Sequence, residues 1–248
     1  MESPPKPKLA LAAKMLPKPL LECIRAIFSQ KIARTALVGG TALTGYYAGH
    51  RRSDDIDLFC ADEQALRSAI LGAKRLAKMG VEFSNETRSA QYYHANCLYR
   101  DHGFTLDVVL DENLFRVGAF ETLPDRVVIP TLETLLRMKI ATLVSRSAEK
   151  DLFDVLWLFE NFGPLPIQQW ISLGQSIDKG VNAETLLASL GGTKLRKEAC
   201  DFAIPKSKSK DQIHSALTAF QKRLIQELME YLKNQPTPPL GRLIKRLR

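Results

Sequence analysis

Asp55 and Asp57 stand two residues apart in the run Asp55-Ile56-Asp57-Leu58-Phe59-Cys60. On a strand, residues i and i+2 share a face. Both carboxylates therefore point one way, while Ile56 and Leu58 point into a core. Adjacent parallel carboxylates repel one another strongly where water is scarce. A cation between them relieves this, and ligands that are all oxygen suit a hard ion, Mg²⁺ or Mn²⁺. A third acid, Asp107, sits inside an apolar run, Phe104 to Leu110, where an acid is costly unless paired or metal-bound. If its strand lies beside that of Asp55, three carboxylates come together. Three carboxylates can hold two divalent ions, which clamp a phosphoryl oxygen and activate a nucleophile.

Gly39-Gly40-Thr41 supplies a second half to that chemistry. A strand–turn–helix junction with two glycines lets backbone approach a phosphate, and free amides at a helix start favour its charge. The sequence has neither the Gly-x-x-x-x-Gly-Lys-Ser/Thr of a P-loop nor the Gly-x-Gly-x-x-Gly of a dinucleotide fold. Further on, Lys139, Arg146 and Lys150 are spaced by seven and four, so a continuous helix would stack them on one face. Such a stack needs an acid or an anion. Asp154, four residues after Lys150, could make it a local salt-bridge ladder. A triphosphate could make it a cationic wall facing the carboxylates.

The elements that must position these groups can be read coarsely. Residues 17–31 repeat apolar side chains at helical spacing. Thr35–Val38 reads as a strand entering the glycine turn, and Thr41–Ala48 as a helix with Thr41 near its N-cap. Asp55–Cys60 is a strand, and residues 62–79 a helix opened by Asp62. Val81–Ser84, Gln91–Tyr99 and Phe104–Leu110 read as strands, with a turn at Asp101-His102-Gly103. Leu132–Ser145 and Lys150–Asn161 are helical, and Gly163 to Pro166 stops the second. Residues 166–232 continue as helices around a Gly-, Lys- and Ser-rich stretch at 191–210. The expected fold is α+β: a mixed sheet with flanking helices, then an all-helical C-terminal half.

GGTAL at 39–43 and RRSDDIDLF at 51–59, with an Asp in a later strand, resemble the nucleotidyltransferase superfamily with a DNA-polymerase-β-type core. Met138-Lys139 through Arg146, followed by Glu149-Lys150-Asp151-Leu-Phe-Asp154, is similar to its AbiEii/AbiGii-like toxin branch. The resemblance covers residues 35–160. It implies that Asp55, Asp57 and Asp107 hold Mg²⁺ or Mn²⁺, with Asp107 helping to deprotonate an attacking hydroxyl. Gly39, Gly40, Thr41 and Ser53 would hold the phosphates of an NTP, and Lys139 and Arg146 would neutralise the departing pyrophosphate. Arg52, Lys150, Asp151 and Asp154 would complete the nucleotide site, the two acids by positioning basic partners or the base. The resemblance also implies a bacterial toxin with a cognate antitoxin, in a toxin–antitoxin or phage-defence pair. Its acceptor would be the 3′ end of tRNA. A protein hydroxyl, a small-molecule acceptor or a non-catalytic RNA-binding module are the alternatives.

Composition narrows the class without naming a substrate. The chain has 248 residues, 45% of them hydrophobic, which excludes a disordered chain, and no apolar run approaches the roughly 18 residues of a membrane span. Cys23, Cys60, Cys97 and Cys200 are too scattered for a zinc site or a disulfide framework. With no signal peptide at the N-terminus, a cytoplasmic protein is expected. The net charge of +8 resides in two Pro-flanked ends, 1–19 and 233–248, because residues 20–232 carry 26 basic and 26 acidic side chains. Such ends solubilise a protein, or grip a phosphate backbone. Between them, residues 20–130 read as the catalytic core and 131–232 as a helical domain completing the site. The four histidines show no metal-ligand spacing. Tyr46-Tyr47 and Tyr92-Tyr93 could stack on a base, although paired aromatics are more often core.

Overall fold

The computed structural model describes residues 5–163, 165–203 and 209–234. The C-terminal basic residues beyond Asn234, and Lys206 and Lys208, lie outside the described residues. Helix α1 (Leu9–Met15) falls within the basic N-terminal end. Leu9, Ala12 and Leu16 recur at helical spacing and pack inward, and the Lys8 amide donates to the Tyr46 carbonyl at 2.8 Å. That stripe is too short to stand out among its lysines. Pro17-Lys18-Pro19 separates it from α2 (Lys18–Ser29), whose prolines fall where no helical N–H is needed.

Strand β1 (Thr35–Leu37) runs straight into a short helix, α3 (Gly39–Leu43), followed by a π-helical turn over Thr44–Ala48. The helix thus starts two residues earlier than the sequence suggests, with Val38 at its N-cap. Thr41 does not cap it. Its hydroxyl donates to the Asp55 carbonyl at 2.5 Å and lies 2.9 Å from Ser53 Oγ, tying the turn to the next strand. That strand is β2 (Asp55–Cys60), antiparallel to β1. Asp62 then caps α4 (Glu63–Lys74), accepting from the Ala65 amide at 2.7 Å.

β3 (Glu82–Arg88), β4 (Tyr92–Tyr99) and β5 (His102–Leu110) form a meander. β3 is an exposed edge strand, so it lacks the alternation that marks its neighbours. The turn between β4 and β5 is Arg100-Asp101, both with positive φ, and His102-Gly103 already belongs to the strand. Two left-handed residues match the twist of a tight hairpin, a role usually signalled by Asn-Gly. The sheet order is β1-β2-β5-β4-β3, and β2 with β5 is its parallel pair. Ile56, Leu58, Leu106, Val108, Tyr93 and Ala95 fill the inward face.

After α5 (Glu112–Val117), a two-stranded ribbon, β6 (Phe120–Thr122) with β7 (Val128–Pro130), leads into the helical half. There α6 (Leu132–Ser145), α7 (Glu149–Phe162), α8 (Ile167–Ile177), α9 (Ala183–Gly192) and α10 (Lys210–Lys233) follow. The chain from Lys139 to Lys150 is two helices, as the sequence reads, so the cations do not stack along one continuous helix. Arg146 takes extended backbone, and the Ser147 hydroxyl donates to the Leu143 carbonyl at 3.0 Å. One apolar cluster runs through both halves, joining Leu37, Ile56 and Leu106 to Leu152, Trp170 and Leu217. Among the described residues, no helix is long and apolar enough to cross a membrane.

Candidate active site

The parallel register of β2 and β5 sets Asp57 directly beside Asp107, and Asp55 beside Thr105. These four side chains share the outward face of the sheet. The Thr105 hydroxyl donates to Asp55 Oδ1 at 2.8 Å. Asp107 Oδ1 accepts from the Tyr92 hydroxyl and lies 2.8 Å from His94 Nδ1. Gly39, with φ of +69°, closes on this cluster so tightly that a Cβ there would overlap the Asp57 carboxylate. A Cβ on Gly40 would overlap the Arg51 guanidinium. Both glycines are thus required by close approach, and Gly39 by its backbone as well.

Opposite the acids stands the α6–α7 junction. Asp154 is fully buried, and three side chains compensate its charge. Arg51 binds it in a fork, Nε to Oδ1 at 2.6 Å and Nη2 to Oδ2 at 2.8 Å. Lys139 Nζ is 2.7 Å from Oδ2, and His50 Nε2 is 2.8 Å from Oδ1. Burial alone would raise the Asp154 pKa, but Lys139, Arg51 and His50 hold it well below the usual carboxylate range. Burial pushes His50 down, against its bond to Asp154. The network continues from Lys139 to Asp151 at 3.4 Å and from Asp151 to Arg146 at 3.0 Å.

Between the two walls lies a cleft of about 590 Å³. Gly39, Gly40, Ser53, Asp55, Asp57, Asp107, Lys139, Arg146, Lys150 and Asp151 all line it, as the sequence suggests. Three expected members do not. Thr41 lies beneath the turn, holding Ser53 and the Asp55 carbonyl. Asp154 lies behind Lys139 as its buried counterion, not as the partner of Lys150. Arg52 turns outward to Asp201, because Arg51 takes the inward position on the irregular segment before β2. Sequence reading also missed Arg51 and His50 as partners of Asp154, Glu149 and Arg196 on the rim, and the Tyr92–His94 support of Asp107. Their partners lie up to 104 residues away, so spacing carried no signal.

The electrostatics suit a hard cation. Burial, then Asp55 and Asp107, raise the Asp57 pKa to about 7, with Lys139 and Arg146 opposing. Without a cation Asp57 thus keeps its proton to near neutrality, as a buried carboxyl beside other acids does. All three donors are oxygen, which fits Mg²⁺ or Mn²⁺. They share a face without closing round one point: among the described residues, no His, Cys, Asp or Glu trio forms a ready cage. Asp107 Oδ1 is held by Tyr92 and His94.

No curated relative matches the chain. Among solved structures, JHP933 from Helicobacter pylori is similar at 15% identity and a TM-score of 0.48, over 88% of this chain and 97% of that one. MenT4, a nucleotidyltransferase toxin from Mycobacterium tuberculosis, is similar at 18% identity and a TM-score of 0.43, over 93% and 91%. The model of the type IV toxin–antitoxin family described as nucleotidyl transferase AbiEii toxin matches residues 20–230. The two glycines, the acids they face and the basic helix junction all fall within that match, and the chain belongs to the AbiEii nucleotidyltransferase toxin family.

Proposed function

We propose that the cleft transfers a nucleotidyl group from an NTP to the 3′-terminal hydroxyl of tRNA, blocking its charging. The observation that carries this reading is the register of Asp57 beside Asp107, lining one cleft with the glycine turn and Lys139. The Gly39–Gly40 turn, Lys139, Arg146 and Lys150 bind the triphosphate. Asp55, Asp57 and Asp107 are the residues to hold Mg²⁺ or Mn²⁺, which when bound offsets charge developing on the phosphoryl oxygens. Asp107 Oδ1 is already engaged by Tyr92 and His94, so Oδ2 is the atom to take the acceptor proton. The acceptor oxygen bonds to the α-phosphorus, the bond to the β-phosphate oxygen breaks, and pyrophosphate leaves toward Lys139 and Arg146.

In this reading residues 20–130 form the catalytic core and 131–232 complete the groove, with basic ends at 1–19 and 233–248. A cognate antitoxin restrains the enzyme in the cytoplasm, in a toxin–antitoxin or phage-defence pair. Mass spectrometry of tRNA after controlled expression tests the acceptor. Species heavier by whole nucleotide residues at the 3′ end are expected. Unmodified tRNA from cells arrested by the protein overturns the assignment.

A further inference from the structure

The sheet face that carries the three acids continues onto β4, where Tyr92, His94, Asn96 and Leu98 follow one another at every second position. Tyr93 points the other way and is buried. Tyr92 is 37% exposed and Leu98 44%, so this strand leaves large side chains open on the active face. The Tyr92 ring lies nearly parallel to that of His94, 13° between planes with centroids 6.3 Å apart. Their polar atoms meet on Asp107 Oδ1, which fixes the flat pair beside the third acid.

In-line displacement sets the attacking and leaving oxygens on opposite sides of phosphorus. Gly39, which follows β1, closes on Asp57 from the β1 side, and in the reading above its turn holds the triphosphate. Pyrophosphate leaves toward that side. The attacking hydroxyl therefore comes from the Asp107 side, across β4. We propose that Tyr92, backed by His94, is the platform on which the terminal base of the polynucleotide acceptor stacks, delivering its ribose hydroxyl to Asp107. This rests on the RNA acceptor proposed above. A ring platform suits that occupant because every base has a π face, and stacking tolerates any sequence.

Steady-state kinetics of wild-type protein, Tyr92→Leu and Tyr92→Phe, with unfractionated tRNA and the labelled NTP varied in turn, test the platform. Thermal melts check that the variants are folded. Tyr92→Leu keeps apolar bulk and loses the planar face. Its acceptor KM is expected to rise roughly tenfold or more, the size of one lost base stack, while its nucleotide KM stays within about twofold. Tyr92→Phe recovers the acceptor KM, and any effect of its missing hydroxyl falls on kcat. An unchanged acceptor KM in Tyr92→Leu, with wild-type RNA labelling intact, overturns the platform and leaves the RNA reading standing. A rise in nucleotide KM instead assigns the ring to the incoming base and overturns it equally. If wild-type protein labels no tRNA, both readings fall.

Discussion

Asp57 couples the site to pH. Its carboxyl is raised from 3.8 to about 7, so below pH 4 the folded and unfolded chains both hold the proton. Between those values the unfolded chain releases it first. Folded stability therefore falls as pH rises, and the loss is complete above pH 7. In the presence of a chelator, Asp57→Asn is expected to be more stable than wild type at pH 8, by on the order of 1 kcal/mol or roughly 2–4 °C in Tm. Mg²⁺ is expected to stabilise wild type at that pH and not the variant. Melts that coincide for both proteins across the range would show that the acids do not compete. Asp154 has the opposite character. Removing it with Asp154→Ala strands Arg51 and Lys139 in the interior, an expected loss of about 3–5 kcal/mol in denaturant unfolding. A loss below about 1 kcal/mol contradicts the buried network. The acids on β2 and β5 were readable because alternation with Ile56, Leu58, Leu106 and Val108 betrays a half-buried strand. The ownership of Asp154 was not, since Lys150 is its sequence neighbour while its partners are Arg51, His50 and Lys139.

At the scale of elements, the β1–α3 junction imposes two demands on Gly39: a left-handed backbone and room for the Asp57 carboxylate. Gly80 imposes only the first, with φ of +92° and open space around it. Gly80→Ala is expected to cost about 1 kcal/mol and leave transfer intact. Gly39→Ala is expected to cost more in urea unfolding and to abolish nucleotide transfer. Equal effects of the two substitutions would show that close approach to Asp57 plays no part. Sequence pattern identified most elements here, including Leu132–Ser145 to the residue. It failed where backbone geometry departs from its usual residue. Arg100-Asp101 turns a hairpin without glycine, whereas the interruption at Arg146 was legible in the gap between two helical patterns. That interruption matters, because it lets Arg146 and Lys150 reach the cleft from separate elements.

Across the whole molecule, the order β1-β2-β5-β4-β3 brings residues fifty apart into one cluster and sets the helical half against it. Three acids and a glycine turn announced the chemistry, but a strand order cannot be read from alternation alone, nor can the outward turn of Arg52. Net charge has a narrower meaning than its total suggests. The excess of +8 belongs to the two ends of the sequence, while residues 20–232 are balanced and the cleft sets acids against a basic junction. If the C-terminal end grips RNA, deleting residues 236–248 is expected to weaken tRNA binding and flatten its salt dependence, while nucleotide binding is unchanged. Undiminished affinity with the same salt slope would separate the basicity of the chain from its acceptor.

Nucleotidyl transfer through the acids is tested most directly by the fate of the two ends of the triphosphate. Wild-type protein with Mg²⁺, tRNA and NTP labelled at either the α- or the γ-phosphate is expected to move only the α label into the acceptor. The γ label leaves as pyrophosphate in equal amount, and Asp57→Ala transfers neither. Transfer of the γ label, or α-label transfer undiminished in folded Asp57→Ala, contradicts a nucleotidyltransferase centre built on Asp55, Asp57 and Asp107.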